Sequence, residues 1–224
     1  VGSQAYGLAG PESDTDILVV AAAPTVEFHG LRPPTGKAAS RVLQNPDITT
    51  HEAGKFLGLA LSCNPTITEL LWLPADGYIT TEPLGRELVE IRQRLLSARR
   101  VRDAYLGYAT QQFKRLCDRG TSFSSDTRNR TEKHARHLLR LVHSGLSLHL
   151  TGTLEVRLSD PDRYREFGRI VATDRERGLQ LAEAAISTTA DAMDSSPSVL
   201  SDHADEEAAE QWLRRVRREF LEDK

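Results

Sequence analysis

The sequence predicts an α/β chain of the α+β kind: a small α/β unit at the front, then a helical domain, with the boundary near residues 74–83. Three observations predict it. Residues 14–20, Asp-Thr-Asp-Ile-Leu-Val-Val, begin polar and run into unbroken apolar residues, the pattern of a strand buried on both faces. A Pro- and Gly-rich stretch follows, which is turn chemistry. After about residue 82 the pattern changes to long apolar repeats of helical period.

In order along the chain, residues 14–20 form the first strand. Pro24, Gly30, Pro33, Pro34, Gly36 and Pro46 make 24–46 a loop or a frayed hairpin. Asp47-Ile48-Thr49 reads as a short strand. A helix from about Thr50 to Ser62 follows, with Thr49 or Thr50 as N-cap, Glu52 near its first turn, and Phe56, Leu57, Leu59, Ala60 and Leu61 as its core face. Asn64-Pro65 stops it, and a second short helix carries Glu69, Leu70, Leu71 and Trp72 up to Pro74. Helical periods then run over roughly 83–98, 99–118, 130–150, 162–192 and 204–222, with breaks at Gly120–Ser125 and Ser195–Ser198. Tyr105, Tyr108 and Phe113 fall at helical spacings and read as core rather than as base-stacking platforms.

The 224 residues are 39% hydrophobic and 27% charged, with a net charge of -3. The charge is uneven. Residues 1–85 hold 4 Lys/Arg against 9 Asp/Glu, residues 86–140 hold 14 against 6, and residues 141–224 hold 11 against 17. A basic middle between acidic flanks suits phosphate or nucleic acid, with a solvated helical face as the plain alternative. Cys63 and Cys117 stand in no CxxC or Cys/His spacing, which excludes a disulfide framework or structural zinc and fits reduced thiols in the cytoplasm. No apolar stretch reaches membrane-spanning length, and no signal peptide is visible. The chain opens at Val1 rather than Met, so a preceding segment is expected, and with it any targeting information.

The candidate chemistry lies at the front: Gly2-Ser3, Gly7, Gly10, then Ser13-Asp14-Thr15-Asp16. In a strand, Asp14 and Asp16 point to one face. No Lys or Arg occurs among residues 1–31 to neutralise them, so a hard divalent cation is the natural partner. Gly2 lets backbone approach a phosphate closely, and the Ser3 hydroxyl adds a donor. A turn through Gly7, Gly10 and Pro11 brings this cradle to the two carboxylates. Two-metal phosphoryl chemistry wants a third acid. Asp47, at the start of a short strand, is preferred. Glu52 and Glu69 are the alternatives, Glu52 as a possible helix cap and Glu69 as a partner in a local pair.

Gly2-Ser3-x-Ala5-Tyr6-Gly7-Leu8 with Ser13-Asp14-x-Asp16 resembles the signature of the DNA polymerase β-like nucleotidyltransferase superfamily. Four further features are similar to its RNA-repair-associated RlaP branch: the Tyr after Ala, Asn64-Pro65-x3-Glu69-Leu70-Leu71-Trp72, Lys133-His134-x2-His137-x2-Arg140-Leu141, and the run around Trp212-Leu213-x2-Val216-Arg217. The resemblance implies a small mixed-sheet nucleotidyltransferase domain over 1–80 and an all-helical domain over 83–224. It implies an enzyme that moves a nucleoside monophosphate from a nucleoside triphosphate such as ATP to an acceptor hydroxyl. Two Mg2+ ions, or Mn2+ in their place, would sit on Asp14, Asp16 and Asp47. The superfamily carries a strand just before Gly-Ser, which Val1 alone represents here.

In the helical half, Lys133, His137 and Arg140 fall at i, i+4 and i+7 and share a face. With Gly2, Ser3 and Ser13 they are the nucleotide-binding candidates; a row of this kind suits a triphosphate or an RNA backbone, or is simply solvated. RNA is the expected acceptor through 86–140, with no membrane partner. A protein side chain, a small molecule, or nucleotide sensing without turnover are the alternatives. Arg128-Asn129 with His134 loosely resembles the signature of HEPN ribonucleases. His134 and His137 lack a carboxylate or Cys to complete a zinc set.

Overall fold

The computed structural model describes residues 1–10, 13–44, 46–118 and 125–221, with Ser125 described by its backbone alone. Pro11 and most of the break at Gly120–Ser125 lie outside the described residues. The chain forms two units, Val1–Ser97 with His203–Lys224, and Ala98–Asp202.

The first unit is built on a three-stranded mixed sheet, so the α+β expectation holds. Strands β1 (Asp16–Ala21), β2 (Ser40–Leu43) and β3 (Asp47–Glu52) lie in the order β1-β3-β2. β1 pairs parallel to β3 with Asp16 opposite Asp47 and Ala21 opposite Glu52. β2 returns antiparallel to β3, from Ser40 opposite His51 to Leu43 opposite Ile48. Within 24–46, expected as a loop or a frayed hairpin, Thr25–His29 is a 3₁₀ turn and, among the described residues, β2 alone is strand, its hairpin partner being β3.

The helix expected from Thr50 starts later. Thr49, Thr50 and His51 are held in the ladder on both sides, which suits β-branched Thr, and α2 spans Ala53–Leu61. Its N-cap is Glu52, not Thr49 or Thr50: Glu52 Oε2 accepts the Gly54 N–H at 2.8 Å. Phe56, Leu57 and Ala60 are its buried face. Asn64-Pro65 both ends α2 and starts α3 (Pro65–Leu70), with Asn64 Oδ1 accepting the Ile67 N–H and Pro65 in the first turn.

Before α3, a short α1 (Gly2–Tyr6) precedes β1. After it, α4 (Pro83–Glu90) passes into a 3₁₀ turn over Arg92–Leu95 rather than running unbroken to 98. The unit is completed by α9 (Glu206–Glu219), capped by Asp205 and burying Ala208, Ala209, Trp212 and Val216. Trp212 Nε1 donates to the Leu84 carbonyl at 2.9 Å, and Arg215 pairs with Glu87.

Among its described residues the second unit has four helices: α5 (Ala98–Asp118), α6 (Ser125–Thr151), α7 (Pro161–Thr173) and α8 (Arg175–Ser195). The single helix expected over 162–192 is two. Asp174 leaves helical geometry at φ -126°, ψ 91°, and its carboxylate accepts the Arg177 N–H to cap α8. The corner depends on Gly178, where a Cβ would lie 2.5 Å from the Val171 Cα. Hydrophobic period alone does not register such a corner, because the apolar face resumes after it. Tyr105 is fully buried, in line with the core reading. Among the described residues no helix is long and apolar enough to cross a membrane.

Candidate active site

Asp16 opens β1 and Asp47 opens β3, and the parallel register sets them opposite one another. Their Cα atoms are thus about 4.8 Å apart, the spacing of neighbouring strands. Asp16 is half-buried and Asp47 exposed. Asp14 is exposed and precedes β1, so the strand alternation that would aim it with Asp16 does not reach it. Ser13 closes a turn before it: its N–H donates to the Gly10 carbonyl at 3.0 Å and its hydroxyl accepts the Gly10 N–H at 2.8 Å.

Gly2 packs directly on Asp16. Its φ is +76°, and a Cβ there would fall 2.0 Å from Asp16 Oδ2. Only glycine fits, both for the backbone angle and for the space. The Val1 nitrogen donates to the Asp16 carbonyl at 3.0 Å, so α1 is stitched to the first residue of the strand. Ser3 is half-buried on the same short helix.

The acids provide the hard oxygen donors that magnesium takes, and magnesium commonly sits on one or two carboxylates with substrate phosphates filling the rest. Asp16 and Asp47 fit that pattern. The wider set is not drawn together: among the described residues, no three His, Cys, Asp or Glu side chains form a group able to hold a metal ion. Of the alternative third acids, Glu52 is paired with Arg217 at 2.6 Å, and Glu69 accepts from the Tyr6 hydroxyl at 2.5 Å. Glu69 therefore pairs across 63 residues of sequence. Helical or strand spacing carries no signal for such a long-range bond.

In the second unit, Lys133, His137 and Arg140 share α6, but their environments differ. Lys133 is exposed, His137 half-buried, and Arg140 buried at 4% exposure. Arg140 Nη2 donates to His137 Nδ1 at 3.0 Å, which makes Nδ1 the acceptor of a neutral ring. Burial, then the neighbouring Arg140, and then His134, Arg115 and Lys133 push the His137 pKa down to about 3. The positive charge of the trio thus comes from Lys133 and Arg140. His134 Nδ1 bonds Gln112 Oε1 at 2.7 Å, tying α6 to α5. Within the basic stretch, Arg94, Arg102 and Arg130 are committed to Asp205, Asp194 and Asp126.

A family model described as "RlaP: RNA repair pathway DNA polymerase beta family" matches residues 1–167. The chain belongs to the RlaP family. That match covers the sheet, the paired Asp16 and Asp47, and α6 with Lys133, His137 and Arg140; α8 and α9 lie beyond it. No curated protein and no solved structure shows similarity to this RlaP chain. Membership places it among polymerase β-like proteins of an RNA repair pathway.

Proposed function

We propose that this RlaP-family protein is a metal-dependent nucleotidyltransferase that moves a nucleoside monophosphate from a nucleoside triphosphate to a hydroxyl of RNA. The observation that carries the reading is the in-register pair Asp16–Asp47, with the Gly2 backbone packed on Asp16. Asp16 and Asp47 are the proposed ligands for Mg2+, or Mn2+ in its place, and Asp14 is proposed to join them when the metal binds. When bound, the metal supplies charge neutralisation on the phosphates and acidifies the acceptor hydroxyl.

The chain's own residues do the rest. Gly2 and Ser3 offer backbone N–H groups and a hydroxyl to the β- and γ-phosphates, with Ser13 at the approach. Asp47 takes the proton from the acceptor hydroxyl. The acceptor oxygen forms a bond to the α-phosphorus as the bond from that phosphorus to the bridging oxygen breaks, and pyrophosphate leaves. Lys133 and Arg140 are proposed to contact phosphates, with neutral His137 orienting Arg140. The lysines and arginines of 86–140 are the proposed contact with RNA.

The test is label transfer. Full-length protein is incubated with Mg2+ and each α-labelled nucleoside triphosphate, offering total RNA, 3′-trimmed tRNA and a protein extract as acceptors. Label entering RNA, lost in Asp16→Ala and Asp47→Ala and steeply salt-dependent, is the expected result. Label entering protein or small molecules moves the acceptor. Full transfer by Asp16→Ala overturns the reading, and tight nucleotide binding with no label anywhere replaces it with nucleotide sensing.

A further inference from the structure

α1 has a peculiar position. It is five residues long, and none of its residues is buried. A helix that short does not hold itself together in water, and this one has no fully buried side chain to hold it. Yet its first residue, Gly2, sits against the Asp16 carboxylate with no room for a single added carbon. Something else must fix α1.

Three sets of bonds do so, the first being the donation from the Val1 nitrogen to the Asp16 carbonyl at 3.0 Å. At its C-terminal end the helix is closed on itself: the Gly7 N–H donates to the Gln4 carbonyl at 3.2 Å and the Leu8 N–H to the Ser3 carbonyl at 3.0 Å. The five residues therefore move as one piece. Tyr6, the last of them, donates its hydroxyl to Glu69 Oε2 at 2.5 Å. Glu69 is 1% exposed and stands on α3, where Pro65, Ile67, Thr68 and Leu70 are buried as well. A carboxylate that deep keeps its place only through its hydrogen bonds, and a hydroxyl on a carboxylate is among the stronger kinds. Tyr6 thus anchors a surface helix to a buried, immobile oxygen. Along the axis the anchor is about 6 Å from Gly2.

We infer that Glu69 is a positioning residue: acting through Tyr6, it fixes α1 so that the Gly2–Ser3 backbone stays registered on Asp16. Its consequence for nucleotide rests on the transfer reading above; the tether itself does not.

The experiment uses the full chain with Tyr6→Phe, Glu69→Ala and Glu69→Gln. Amide hydrogen exchange is followed without nucleotide, and KM and kcat for the Mg2+ complex of the triphosphate are measured by label transfer. Gln retains a carbonyl oxygen for the Tyr6 hydroxyl, so Glu69→Gln is the conservative control. The expected result is faster exchange at Gly7 and Leu8 in Tyr6→Phe and Glu69→Ala, by about tenfold, the worth of one such hydrogen bond. Protection in α6 should be unchanged, and Glu69→Gln should stay near wild type. In the same two variants KM should rise by about tenfold while kcat changes far less.

Unchanged exchange at Gly7 and Leu8 overturns the tether. Exchange that rises throughout the first unit, or faster local exchange with KM unmoved, overturns the positioning role and leaves Glu69 as fold support. Wild-type protein that transfers nothing, with local exchange still raised in Tyr6→Phe, overturns the transfer reading and supports the tether.

Discussion

Arg217 Nη1 lies 2.6 Å from Glu52 Oε1 while its guanidinium stacks over Phe28 at 3.9 Å, so one side chain of α9 ties the end of β3 to the 3₁₀ turn Thr25–His29. Glu52 is 8% exposed and Arg217 19%, and the second oxygen of Glu52 caps α2. Removing the arginine leaves a buried carboxylate half-satisfied. Arg217→Ala should destabilise the first unit by about 3–5 kcal/mol. Arg217→Lys should rescue little, since an ammonium lacks the planar face that stacks on Phe28. The chain has two tryptophans, Trp72 and Trp212, both in the first unit, so their fluorescence in a denaturant titration reads that unit directly.

Gly2→Ala should separate chemistry from stability. The new methyl collides with Asp16 Oδ2, and the left-handed backbone costs a non-glycine residue about 1–2 kcal/mol. No residue of α1 is fully buried, so the fold should survive with a small shift in its unfolding midpoint. A displacement of about 1 Å at a reacting centre can cost about 100-fold, and label transfer should fall by that order. Circular dichroism on the same samples checks that the protein is folded.

His137 should stay uncharged through the whole range of ordinary buffers. Its folded pKa, about 3, lies below the 6.5 of an unperturbed imidazole. Between those values the unfolded chain binds a proton that the folded chain refuses, so stability rises with pH across that window. Stability is therefore retained above pH 6.5 and drains away as pH falls towards 3. His51 and His143 are held low too, first by burial and then by Lys55 and Arg163 respectively, and add to the same trend. The ring resonances of His137 should not titrate between pH 5 and 8. His137→Gln should flatten the acid limb of the denaturant midpoint against pH. A ring that titrates near 6.5 would refute the neutral, arginine-bonded state.

Gly178→Ala tests the α7–α8 corner. The added carbon would meet the Val171 backbone at 2.5 Å, and backbone cannot swing aside as a flexible side chain can. A loss of about 1–3 kcal/mol is expected, confined to the second unit. Helical circular dichroism should register it in denaturant while tryptophan fluorescence does not.

Much of the candidate site was legible from residue type and order. Asp16 opens the apolar run 17–21 that predicts β1, and Asp47 opens the β-branched Ile48-Thr49-Thr50 that favours β3. Strand alternation does not govern Asp14, because the ladder begins two residues after it and alternation applies only inside a strand. β2 carries little signal because it is an outer strand: Arg41, Val42 and Leu43 are exposed, so no alternation marks it. Glu52 is both the ladder's last residue and the cap of α2, and residue type points only to the cap. The bonds Tyr6–Glu69 and Arg217–Glu52 span 63 and 165 residues, and local pattern says nothing about partners at that range. Likewise the apolar stripe of α9 shows that it must be covered, not that α2 and α4 cover it.

The first unit is discontinuous in sequence: it needs both Val1–Ser97 and the segment from His203 onward, whereas Ala98–Asp202 is one stretch. On the ribosome this reverses the usual order. Residues 1–97 emerge first but must wait for α9, on the order of ten seconds later at ordinary elongation rates. The second unit has all its parts sooner. Until then Glu52 faces no arginine and the leading segment is a ready client for chaperones, so nascent chains stalled before residue 203 should be protease-sensitive at the front and resistant behind.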